Sequence, residues 1–111
     1  MIIRKMKEMR GGWFVGDFEP TVFKTSQFEV CYKYHTKGEA WDMHYHKKSL
    51  EINYLVRGSM HFQDVTLNAG DIFIVEPWEI SNPEFLEECE VLIVKIPSSK
   101  DDKYPIQEVT K

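Results

Sequence analysis

Long hydrophobic runs, a helical hydrophobic period, a cysteine framework and an excess of positive charge are all missing from this 111-residue chain. No apolar stretch approaches the ~20 residues that cross a bilayer as a helix, so no membrane partner is expected. The opening Met1-Ile2-Ile3 is followed at once by Arg4, Lys5, Lys7 and Glu8, which breaks the continuous apolar segment a secretory signal needs; a cytoplasmic location is expected. Cys31 and Cys89 are the only cysteines, and their wide separation without a Cys-X-X-Cys spacing argues for buried thiols, not a zinc knuckle or a redox pair. With 14 Lys and Arg against 18 Asp and Glu the net charge is −4, so a phosphate backbone would be repelled and nucleic acid is not an expected partner. The short basic cluster Arg4, Lys5, Lys7 and Arg10 reads as a solvated face.

What the chain does contain is a period of two. Phe28, Val30, Tyr32 and Tyr34 alternate with Glu29, Cys31, Lys33 and His35, and Leu50, Ile52, Tyr54 and Val56 alternate with Glu51, Asn53, Leu55 and Arg57; this is the spacing of strands. Further strands are expected at Met60 to Val65, Ile72 to Val75 and Val91 to Ile96. Turn signals lie between them at Lys37-Gly38, Arg57-Gly58-Ser59, Asn68-Ala69-Gly70-Asp71 and Asn82-Pro83. Turns about every ten residues, with no repeat or linker, describe a single all-β sandwich or barrel. A chain of this length buries roughly 65% of its unfolded surface, enough for one core with modest margin.

One stretch carries chemistry. In Gly38-Glu39-Ala40-Trp41-Asp42-Met43-His44-Tyr45-His46-Lys47-Lys48-Ser49-Leu50-Glu51, closed by Gly58, His44 and His46 share a strand face about 7 Å apart. Lys47 to Leu50 are few enough to form a hairpin that brings Glu51 opposite them on the neighbouring strand. Asp42 shares their face and could fix the tautomer of His44, as could a backbone carbonyl. Asn53 and Arg57 follow Glu51 on one strand face and are candidate pocket residues.

The spacing glycine, five residues, His-X-His, four residues, glutamate, six residues, glycine resembles the first motif of the cupin superfamily. Gly70-Asp71 through Glu76-Pro77-Trp78-Glu79-Ile80-Ser81-Asn82 resembles the second, with Trp78 where glycine is usual and Ser81 or Asn82 where the family carries its fourth, histidine ligand. The resemblance runs from about Thr21 to Pro97, and the ending Val94 to Ser98 with Asp102-Lys103-Tyr104 is similar to small single-domain cupins of unassigned function. It implies a single-domain cupin-like β-barrel, a double-stranded β-helix or jelly roll. Residues 1–20 would form an N-terminal edge strand or dimer contact, 21–97 the barrel and 98–111 a C-terminal tail.

A divalent metal on His44, His46 and Glu51 is the expected cofactor, and Fe, Mn, Ni and Zn all suit such a ligand set. The place of the fourth ligand would fall to water, His35, His61 or another group. Trp78 could narrow the pocket mouth or cover the core. Two functions follow: a metal-dependent enzyme acting on a small polar molecule, with isomerase, hydrolase and dioxygenase chemistry all open, or a non-enzymatic barrel that binds or senses a metal or small metabolite. A small barrel with exposed edges and the aromatic segment Gly12-Trp13-Phe14-Val15 with Phe18 is expected to pair as a homodimer.

Overall fold

The computed structural model describes residues 1–106, so the last five residues of the expected 98–111 tail lie outside the described residues. A 3-10 turn at Met6–Glu8 precedes eleven strands: β1 Trp13–Gly16, β2 Phe23–Lys24, β3 Glu29–His35, β4 His44–Tyr45, β5 Leu50–Arg57, β6 Ser59–Phe62, β7 Val65–Asn68, β8 Ile72–Val75, β9 Glu84–Phe85, β10 Cys89–Ile96 and β11 Tyr104–Pro105. They form a six-stranded sheet in the order β2-β1-β3-β10-β5-β8, a three-stranded sheet β7-β6-β9 and the pair β11-β4. The barrel is therefore open-sided, a double-stranded β-helix and not one closed hydrogen-bonded sheet. Among the described residues, no helix is long and apolar enough to cross a membrane.

The alternation in β3 and β5 survives, and the structure decides which side faces in. Glu29, Cys31 and His35 of β3 and Asn53 and Leu55 of β5 are buried, whereas Tyr34 and Tyr54 are exposed. The core gathers Leu55, Met60, Phe85, Cys89 and Val91, with Trp41, Phe62, Leu67, Phe73 and Ile93 packed against it. Gly58, at the tight passage from β5 to β6, has φ +92°, and a Cβ there would lie 2.4 Å from the Glu88 carbonyl; only glycine fits without displacing backbone. Cys31 and Cys89 are free, buried thiols, and burial pushes Cys31 up to about 12, so it stays protonated and unreactive.

The described residues outside 21–97 include strands that join the sheets. β1 pairs with β3 in the main sheet, and β11 pairs with β4. Trp13 and Phe18, expected to face a partner, instead line the cavity described next.

Candidate functional site

His44 and His46 are both buried, with Tyr45 between them turned the other way against Trp78 and Tyr104. Each imidazole is oriented by a backbone carbonyl. The Nδ1–H of His44 donates to the Asp42 carbonyl at 3.0 Å, and that of His46 to the Asp102 carbonyl at 2.6 Å. Both rings therefore keep Nε2 as an unprotonated acceptor. Burial pushes both histidines below their ordinary pKa; Lys95 adds to the effect at His46.

The expected hairpin from His46 to Glu51 does not form. β4 pairs with β11 and bridges to Ser81, while β5 lies between β10 and β8. The intervening residues cross from one sheet to another because the Asp102 carboxylate accepts the N–H groups of Lys47, Lys48 and Ser49 at 2.9–3.2 Å, giving them a partner that is not a strand. Burial alone would raise the pKa of Asp102; the donors on Lys47, Ser49 and Lys48 outweigh it and hold the carboxylate below its ordinary value. The crossing still delivers Glu51 to the histidines, with Oε1 3.8 Å from His46 Nε2. The His44 and His46 rings are 5.4 Å apart and perpendicular. Among the described residues, no three His, Cys, Asp or Glu side chains are gathered as tightly as a bound ion would hold them; His46 and Glu51 form a pair that a metal–ligand distance of about 2.1 Å on each side can span.

On the inner face of the six-stranded sheet, Glu51 of β5 is in register with Lys95 of β10, and Lys95 with Glu29 of β3. Lys95 Nζ is 3.8 Å from Glu29 Oε2, and the Ser98 hydroxyl donates to Glu29 Oε1 at 2.8 Å. Burial pushes the Glu51 carboxyl above the ordinary carboxylate range, against the pull of Lys95. Behind this layer stands Asn53, 7% exposed, whose Nδ2 is a buried donor without an acceptor. His44, Glu51, Trp13, Lys33 and Trp41 are shared walls of an outer cup of about 450 Å³ and an inner, mostly apolar recess of about 100 Å³ that Asn53 lines.

Several expected positions fall elsewhere. The Asp42 side chain is exposed, and its carbonyl, not its carboxylate, orients His44. Trp78 lies outside the cup: its ring is exposed and stacks on Tyr45 at 5.6 Å, and its backbone adopts φ 73°, the left-handed region, at the position where the resemblance expects glycine. Arg57 stands in solvent with Glu88 and Glu90. His61 is exposed, which removes it as a ligand. His35 is engaged by Glu39 at 2.7 Å and stacked on Phe85 at 3.8 Å, at the far end of β3 from Glu29. Of the two positions offered for the fourth ligand, Ser81 is buried and paired backbone to backbone with His44 at 2.7 and 3.0 Å, while the Asn82 side chain accepts from the Gln63 N–H at 2.8 Å. Lys95, Glu29 and Asp102 escaped the sequence reading. The first two sit in strands that read as ordinary alternation, and Asp102 acts across 53–55 residues of chain.

No protein-family model matches the sequence, and no curated protein resembles it significantly. Solved structures do share its shape. An uncharacterized conserved protein with a double-stranded β-helix domain from Klebsiella pneumoniae subsp. pneumoniae MGH 78578 aligns with TM-score 0.66 at 18% identity over 76% of this chain and 74% of that one. Bacillus subtilis oxalate decarboxylase, an enzyme with Mn(II) centres, aligns with TM-score 0.63 at 18% identity over 74% of this chain and 25% of that one. A cupin superfamily protein from Desulfitobacterium hafniense DCB-2 aligns with TM-score 0.57 at 13% identity over 66% and 70%. The chain has the double-stranded β-helix fold of the cupin superfamily.

Proposed function

We propose that His44, His46 and Glu51 hold a divalent cation and that the protein is a metal-dependent enzyme acting on a small polar molecule. The observation that carries this reading is the orientation of the two imidazoles, each anchored through Nδ1 to a carbonyl so that Nε2 remains a ligand, with the His46 nitrogen 3.8 Å from Glu51. A buried carboxyl beside two buried imidazoles is costly without a compensating charge, and a cation supplies one. The donor set suits Fe, Mn, Ni or Zn. The Mn(II) centres of the similarly folded oxalate decarboxylase support the same reading.

When bound, such an ion polarises a substrate oxygen or lowers the pKa of a coordinated water. The chain's own residues do the rest. Asp42 and Asp102 fix the ring tautomers through their carbonyls, Asp102 holds the crossing that aims Glu51, and the short Ser81 side chain leaves a position open where a fourth ligand would close the site. Open positions distinguish catalytic from structural metal sites.

The alternative, a barrel that binds or senses a metal or metabolite without turnover, draws on Ser81 in place of a fourth ligand and on Lys95, a competing cation beside Glu51. Tag-free protein titrated with Mn(II), Fe(II), Ni(II) and Zn(II) is expected to bind one ion per chain, and His44→Ala, His46→Ala and Glu51→Gln to lose that binding by at least about tenfold. Wild type indistinguishable from these variants would overturn the metal reading. Tight ligand binding without conversion would favour the sensor.

We further infer that two copies pair through the outer face of the six-stranded sheet. There Ile72, Tyr54, Leu92 and Tyr32 lie in one row, and Ile74, Ile52, Val94 and Val30 in the next. Ile72 is 70% and Ile74 54% exposed, and a second copy of the same face is the symmetric cover for such a patch.

A further inference from the structure

The cup carries cations that the proposed metal site does not use. Arg10, Lys33, Lys95 and Lys103 line it with Glu19, Glu29 and Glu51. Glu19 is answered outside the cup by Lys24 at 3.5 Å, and Glu29 inside it by Lys95 at 3.8 Å. Among the described residues, Arg10, Lys33 and Lys103 have no carboxylate within 4.0 Å. Two of these three meet on one indole: Lys33 Nζ and Lys103 Nζ stand 4.8 and 4.7 Å from the centre of the Trp41 ring. That ring is locked, its Nε1–H donating to Glu39 at 2.7 Å. Unanswered cations fixed on the wall of a concave site give the cup a positive field that favours an anion.

The second observation lies deeper. The Asn53 amide is buried and lines the recess, and Nδ2 is the one buried side-chain nitrogen or oxygen among the described residues without a partner. A native interior rarely leaves such a donor unmet unless something outside the chain meets it. By register Lys33 and Asn53 are two strands and one inward-facing layer apart, about 10 Å across and 7 Å along the sheet, and the lysine stem shortens that span. Around Asn53 the recess is lined by Phe62, Phe73, Phe85, Val91 and Ile93.

We propose that the cup binds a small organic carboxylate whose anionic group meets Lys33 and Lys103, whose hydroxyl or carbonyl oxygen accepts from Asn53 Nδ2, and whose short apolar part enters the recess. This deepens the reading above by naming a substrate class, and it rests on that reading for the site; the residues that carry it are not the proposed metal ligands, so the two fail separately.

Calorimetric and ¹⁵N NMR titrations of the full-length protein, with and without Zn(II), test it using 2-oxobutanoate, 2-hydroxybutanoate, the neutral 2-hydroxybutanamide and inorganic phosphate. At least one of the two acids is expected to bind about tenfold or more tighter than the amide, to shift the Asn53 side-chain NH2 resonances, and to lose about tenfold in affinity in the Lys33→Gln/Lys103→Gln variant while Zn(II) binding is retained. Equal affinity for acid and amide, preference for phosphate, unmoved Asn53 resonances or an indifferent lysine variant would each overturn it. Carboxylate binding in a protein that takes up none of Mn(II), Fe(II), Ni(II) and Zn(II) would sink the metal reading alone.

Discussion

At the Glu51 carboxyl, burial and the neighbouring Lys95 ammonium act in opposite directions and burial prevails, so its pKa stands above the usual carboxylate value. A raised pKa means that Glu51 favours folding while protonated and that this contribution is lost as pH rises through the folded-state value. At neutral pH the buried carboxyl is therefore a burden on the metal-free fold. Glu51→Gln is expected to raise the Tm of metal-free protein at pH 7, the gain shrinking below about pH 4.5 where the glutamate is protonated in both states, and to abolish metal binding; thermal melts across pH check both. The histidines have the opposite sign. Their depressed values leave stability complete above about 6.5 and lost as pH falls through the folded values, so metal affinity should persist somewhat below pH 6.5, where free imidazoles would already be charged. That His44, His46 and Glu51 lie near one another was legible in the sequence because their spacing is a local fact. Lys95 was not, since a lysine in an apolar strand shows its direction only once the register with Glu51 and Glu29 is known.

At the scale of elements, the passage from β4 to β5 is where local reasoning failed. Four residues between His46 and Glu51 are a sound hairpin length, yet β4 finds its backbone partners in β11 and Ser81, and three N–H groups of the passage find theirs in Asp102. A carboxylate more than fifty residues away leaves no mark on local sequence pattern. Asp102→Ala strands those buried or half-buried donors and is expected to cost about 3 kcal/mol, the scale of hydrogen bonds to a charged group, with Asp102→Asn intermediate. Urea unfolding measures this, and a loss under about 1 kcal/mol for the alanine variant would show that the crossing is held by something else. The period of two in β3 and β5 was readable, but not its polarity: the polar Glu29, Lys95, Glu51 and Asn53 point inward, leaving Val30, Tyr32, Ile52 and Tyr54 to the outside.

For the whole molecule, that inversion has a consequence for assembly. The outer sheet face is expected to be covered by its own copy, so sedimentation equilibrium at micromolar concentration should give twice the chain mass. Ile72→Lys/Ile74→Lys should return the monomer without lowering metal affinity; a monomeric wild type would contradict the pairing. The all-β class was legible from turns and alternation and the jelly roll only from the motif resemblance, whereas its openness and its division into three sheets depend on pairings between distant strands. The central claim, that the fold assembles His44, His46 and Glu51 around one cation, is tested most directly by anomalous scattering from crystals grown with Mn(II) or Zn(II). A single strong peak within about 2.0–2.3 Å of His44 Nε2, His46 Nε2 and a Glu51 oxygen is predicted; no peak there, or peaks only on the protein surface, would contradict the account.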